Sequence, residues 1–98
     1  MASARFDHLP YRFVYDREVP VAVGFRARTL GLSHLDLVDA GPGLLIPRCA
    51  SVHTFGMRFA LDLYFLDAGG VVLSSRRALP PRRFAVHGGA AAVLEIPV

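Results

Sequence analysis

The densest grouping of chemically capable side chains lies between Cys49 and Asp62, where the chain reads Cys-Ala-Ser-Val-His-Thr-Phe-Gly-Met-Arg-Phe-Ala-Leu-Asp. An imidazole (His53), a guanidinium (Arg58) and a carboxylate (Asp62) follow one another there. Imidazole titrates near neutrality and suits proton transfer or metal ligation. Guanidinium is a planar fork for carboxylate or phosphate, and a neighbouring carboxylate can orient it. Cys49, Ser51 and Thr54 add a thiol and hydroxyls that a base could activate, although no nucleophile-elbow sequence is present. Cys49 and His53 have a metal-like gap. With no second cysteine and the other histidines at 8, 34 and 87, the sequence predicts neither a metal site nor a cofactor.

These residues must be carried on an extended strand. Positions 55, 57, 59, 61, 63 and 65 are all large and apolar, and strict period two predicts one buried face. The segment Val52–Leu66 is longer than a usual strand and is expected to bend near Phe59-Ala60. His53 falls on the buried register, where packing competes with any chemical role. Arg58 and Asp62 share the other face, roughly 13 Å apart if the strand is straight. They meet only through the bend, as an ion pair or with Asp62 orienting Arg58 or Arg28.

Around this segment the chain predicts further strands. Arg12–Tyr15 and Val19–Val23 flank a polar turn, with Pro20 marking an edge or an irregular start. Residues 24–35 hold the one helix, with Phe25, Leu32 and Leu35 on one face and Gly31 keeping it short. Leu44-Leu45-Ile46 is a buried run that stops at Pro47, after a turn over 39–43. Asp67–Gly70 is a hairpin loop, from which Val71-Val72-Leu73 returns antiparallel. Ala91–Ile96 closes the chain as a strand. The fold class is mostly β: one domain over 1–98, a small barrel or two-sheet sandwich with antiparallel hairpins and one short helix.

Composition narrows the partners. At 53% hydrophobic before nine glycines are counted, a 98-residue chain cannot bury every apolar side chain, so an apolar outer patch and a homodimer or protein partner are expected. The longest uncharged run, Phe84–Leu94, has 11 residues and falls short of a membrane span. The first ten residues lack an apolar leader, and a single cysteine suits a reducing compartment, so a cytoplasmic location is expected. All 11 basic side chains are arginine, and the net charge of +3 permits a small anionic ligand. The pairs Arg76-Arg77 and Arg82-Arg83 flank Pro80-Pro81 and could grip phosphates. Few aromatics interleave with them and no recognition motif accompanies them, so nucleic acid is the weaker alternative.

Three blocks in order carry a family resemblance. They are Val21-Ala22 with Arg28 and Gly31-Leu32; Val52-His53-Thr54-Phe55-Gly56-Met57-Arg58-Phe59 with Leu61-Asp62; and Val93-Leu94-Glu95. Over about residues 19–96 the chain resembles domain-of-unknown-function family 192 (DUF 192), in the subgroup reading His-Thr-Phe-Gly-Met-Arg. The resemblance implies a mostly-β domain of double-sheet or barrel type and brings no established activity, cofactor or catalytic residue. Ser33-His34 stand where members usually carry another basic residue. Members also continue past the Leu-Glu block into a glycine-containing final hairpin, which leaves two expectations here: a last strand at an open edge that favours dimerisation or swapping, or a naturally short member of the family.

The functional expectation is a binding module, more readily non-enzymatic than enzymatic. It acts on a protein partner or small anionic ligand through Arg28, His53, Met57, Arg58 and Asp62. The alternative is a hydrolase- or transferase-like enzyme with His53 as base and Asp62 in support, which requires His53 to line an open pocket near Ser51, Thr54, Cys49 or Asp62.

Overall fold

The computed structural model describes residues 4–98. The chain runs through β1 (Tyr11–Val14), β2 (Arg17–Pro20), α1 (Phe25–Leu30), β3 (Leu44–Pro47), β4 (Ser51–His53), β5 (Leu61–Leu66), β6 (Val72–Leu79), β7 (Phe84–Val86) and β8 (Ala92–Pro97). Single 3-10 turns occupy Ala4–Phe6 and Leu37–Asp39. The main sheet is antiparallel, with strand order β3-β8-β5-β6. β5 and β8 take its centre because both are nearly continuous apolar runs, the pattern of strands covered on two faces.

Alternation along these strands divides the core in two. Leu61, Leu63 and Phe65 join Leu44, Ile46 and Val93 in the larger cluster, completed by Phe6, Leu32 and Phe59. Tyr64 and Leu66 face the opposite way, with Leu45, Leu94 and Ile96. The β1–β2 hairpin covers that second face through Val14 and Val19, and the Tyr15 ring stacks on Tyr64 at 4.7 Å. The larger face is covered by α1, its following loop and the β4–β7 pair, which contributes Val52 and Ala85. Each fully buried Leu or Phe contributes roughly 1.5–3 kcal/mol. The fold is mostly β, with antiparallel sheets and one short helix, and the described strands do not close into a barrel.

Several expectations are corrected. The last strand is not an open edge: β8 is paired on both sides, by β3 and β5. The long strand over 52–66 is two strands, β4 and β5, separated by residues 54–60. The alternation misled because Met57 and Phe59 reach the core from a loop, which period two alone cannot distinguish from a strand. After Thr54 the chain turns, the Thr54 carbonyl accepting from the Met57 N–H at 3.1 Å. The Thr54 hydroxyl donates to the Pro80 carbonyl (2.7 Å) and accepts from the Arg83 N–H (2.8 Å), fastening this loop to the Pro80–Arg83 turn. The helix spans Phe25–Leu30, not 24–35, and the Phe25 side chain lies outside what is described. Met1–Ser3, part of the leader expectation, lie outside the described residues too. A short strand at Phe84–Val86 carries no clear alternation signal in the sequence. Among the described residues no helix is long and apolar enough to cross a membrane.

Candidate functional site

Position 95 is where an acidic residue enters the apolar centre. Pairing of Leu44 with Glu95 and of Leu63 with Glu95 places its side chain on the larger core face, only 2% exposed. The end of α1 borders it. Gly31 closes the helix at φ 52°, ψ −130°, a conformation that side chains resist, and donates its N–H to the Ala27 carbonyl. A Cβ there would stand 3.5 Å from Glu95 Oε1. Among the described residues Oε1 has no hydrogen-bond partner. Burial, uncompensated by any charge, pushes the Glu95 carboxyl up to about 7.

Above this carboxyl lies an open pocket of about 130 Å³. Arg28, Gly31, Cys49, His53, Met57 and Glu95 define it, with Ser51 and Phe55 at the margins. Arg28 fixes one wall: its guanidinium donates to the Pro47 carbonyl and, at 3.2 Å, to that of Arg48, tying α1 to the end of β3. Arg5 Nη1 donates to the carbonyls of Gly31 (3.1 Å) and Ser33 (2.8 Å), holding the loop after the helix. The Cys49 thiol donates to the Ser51 carbonyl at 3.0 Å. The His53 ring stands beside those of Phe55 (5.9 Å) and Phe84 (6.2 Å), themselves 5.3 Å apart. Phe84 is 72% exposed, so this rim is an apolar surface patch.

Of the five residues expected to form the site, Arg28, His53 and Met57 converge here and Arg58 and Asp62 do not. Arg58 makes an exposed ion pair with Asp36 at 2.9 Å. Asp62 belongs to the opposite sheet face, in register with Ile96. It accepts from the Ala78 N–H (2.7 Å) and from Arg77 Nε (3.1 Å). Ala78 has φ 50° and occupies the bulge where β6 has an extra residue opposite β5, so Asp62 stabilises that irregularity. The expected meeting of Asp62 with Arg58 or Arg28 therefore does not occur. His53 is also corrected. It lies on the outward register of β4, opposite Phe84, and is exposed while Val52 and Thr54 are buried.

Glu95 escaped the site prediction although the sequence marks it: a carboxylate between Leu94 and Ile96 in an apolar strand must find either a partner or a cavity. Arg76, Arg77, Arg82 and Arg83 are all exposed. Arg77 is engaged by Asp62, and Arg83 Nη1 by the carbonyls of Pro81 and Arg82. Among the described residues no three or more His, Cys, Asp or Glu side chains are grouped to hold a metal ion.

The fold and pocket define a small mostly-β protein whose central strand buries a near-neutral carboxyl beneath an open cavity. The chain belongs to the DUF192 family, described as Uncharacterized ACR, whose model matches residues 12–98. It is 33% identical over 89 residues to a UPF0127 protein of Thermococcus sibiricus, covering 87% of this chain and 58% of that relative. The chain thus spans less than two-thirds of that relative's length. A protein of unknown function from Novosphingobium aromaticivorans has a similar crystal structure, with a TM-score of 0.64 at 19% identity, covering 83% of this chain and 64% of the other. That likeness concerns the fold.

Proposed function

We propose that this chain is a binding module whose pocket takes a small polar group bearing an N–H or O–H donor. The single observation that carries the reading is the buried Glu95 Oε1, left without a partner at the floor of an open cavity. An unmade hydrogen bond of this kind costs about 1–3 kcal/mol, and a ligand that completes it recovers that energy. The cavity, at about 130 Å³, accommodates a group of a few heavy atoms. A carboxyl floor disfavours an anion, so the anionic ligand expected for Arg28, His53 and Met57 is replaced by a donor-bearing neutral or cationic one. Arg28 and Met57 shape the walls, and His53 with Phe55 flanks the mouth.

The experiment is an amide chemical-shift titration with acetamide and N-methylacetamide, using N,N-dimethylacetamide as the donor-free analogue. Saturable shifts at Gly31, His53 and Glu95 are expected for the first two compounds only, and their loss in Glu95→Leu. Equal shifts from the donor-free compound, or an unchanged response in Glu95→Leu, would refute the reading.

A second reading has one observation in its favour. A carboxyl held near neutral pKa shares the cavity with the Cys49 thiol and the His53 imidazole, a setting suited to proton transfer. It replaces the expected His53–Asp62 pairing, whose members lie on different faces of the fold.

A further inference from the structure

A second cavity, of about 140 Å³, opens between β1, the end of β3, the β5–β6 turn and the start of β8. Its lining is largely apolar, with Val14, Leu45, Leu66 and Ala92 in the walls, and it includes two arginines. These are Arg12 and Arg48, which come from different elements, β1 and the residue after β3. Both residues are exposed, and neither guanidinium has a hydrogen-bond or ion-pair partner among the described residues. The acidic residue of the rim is engaged by its own turn: Asp67 Oδ1 accepts from the N–H groups of Gly69 and Val71, both at 2.9 Å.

Arg48 is held in place by its backbone. It has φ 51°, an uncommon conformation for a non-glycine residue, and its carbonyl accepts from Arg28 at 3.2 Å. The bond from Arg28 to the Pro47 carbonyl braces the same peptide segment. The guanidinium of Arg48 is therefore presented from a fixed main chain. Two unpaired planar forks beside an apolar cavity match a ligand with an anionic head and a short apolar body.

We infer that the Arg12–Arg48 cavity is a second binding site, separate from the Glu95 pocket, for a small organic anion of the short-chain carboxylate type. The carboxylate meets the two guanidinium groups and the alkyl stem fills the space lined by Val14, Leu45, Leu66 and Ala92. Inorganic phosphate supplies the charge without the stem and is expected to bind more weakly.

The test is a chemical-shift titration of the full chain with butyrate, with inorganic phosphate in a parallel arm. Saturable shifts are expected at Arg12, Leu45, Arg48 and Ala92, with Gly31 and His53 unmoved. Arg12→Gln and Arg48→Asn alter exposed side chains, and asparagine tolerates a positive φ; each should weaken butyrate binding about tenfold or more. Raising salt should weaken it further. No saturable shift at these residues, affinity unchanged in both variants, or shifts confined to Gly31 and His53 would overturn the assignment. Phosphate binding as tightly as butyrate would overturn the role given to the apolar walls. Loss of the acetamide response at Glu95 has no bearing on this site, so the two readings fail separately.

Discussion

Gly31 and Glu95 face each other across the floor of the pocket, with room for one methyl group between the Gly31 backbone and Oε1 at van der Waals distance (3.5 Å). The helix stop and the buried acid border the same cavity, so a change at one is felt at the other. Gly31→Ala adds the methyl at φ 52°, ψ −130°, a conformation essentially restricted to glycine. The expected result is a loss of about 1–3 kcal/mol, read from urea unfolding midpoints. The acetamide response should shrink with it, because the methyl narrows the cavity.

Glu95 should also leave a signature in the pH dependence of stability. Its carboxyl titrates near 4.5 when unfolded and about 7 when folded. Between those values the unfolded chain has released the proton and the folded chain retains it, so stability falls as pH rises through this window. The contribution is fully present below about 4.5 and lost above about 7, on the order of 3 kcal/mol in all. Glu95→Gln cannot ionise, so it should gain on the wild type from pH 5 to pH 8. Parallel stability curves for the two proteins would contradict this.

Arg58 and Asp62 should differ sharply despite standing four residues apart. The Arg58–Asp36 pair is exposed, with side chains 56% and 64% accessible, and exposed pairs contribute about 0–1 kcal/mol. Arg58→Ala should therefore barely move the unfolding midpoint. Asp62 is buried and answers the Ala78 N–H at the bulge, so Asp62→Ala should destabilise by about 1–3 kcal/mol. Neither substitution should alter the amide shifts of the pocket.

Thr54 is a fastening point, where the hydroxyl adds two bonds to those the Thr54 backbone makes with Arg82 and Arg83. Thr54→Val keeps the shape but leaves the Pro80 carbonyl and the Arg83 N–H without their side-chain partner. An expected cost of about 1–3 kcal/mol should be accompanied by faster hydrogen exchange at Arg83 and Met57. Protection unchanged at both amides would show that the loop is held by other contacts.

The sequence made the strands legible wherever a run was apolar throughout or bounded by a turn, as at Leu44-Leu45-Ile46 and around Asp67–Gly70. It misled at 54–60 because loop residues that reach the core can imitate strand alternation. The site was half legible. Arg28, His53 and Met57 do meet, but their meeting depends on how α1, β3 and β4 pack, which no spacing within one segment encodes. Asp62 and Glu95 illustrate the difficulty most clearly. Both are single acids in apolar strands, and only the sheet's facing and the bulge at Ala78 determine that one is satisfied and the other is not.

Direct titration of the Glu95 side-chain carboxyl by ¹³C NMR, with and without N-methylacetamide, tests the central claim most closely. A midpoint near 7 in the free protein, displaced on saturation by the ligand, is the expected result. A midpoint in the ordinary glutamate range near 4.5, indifferent to the ligand, would contradict the claim that a buried, unpartnered carboxyl forms the floor of a binding pocket.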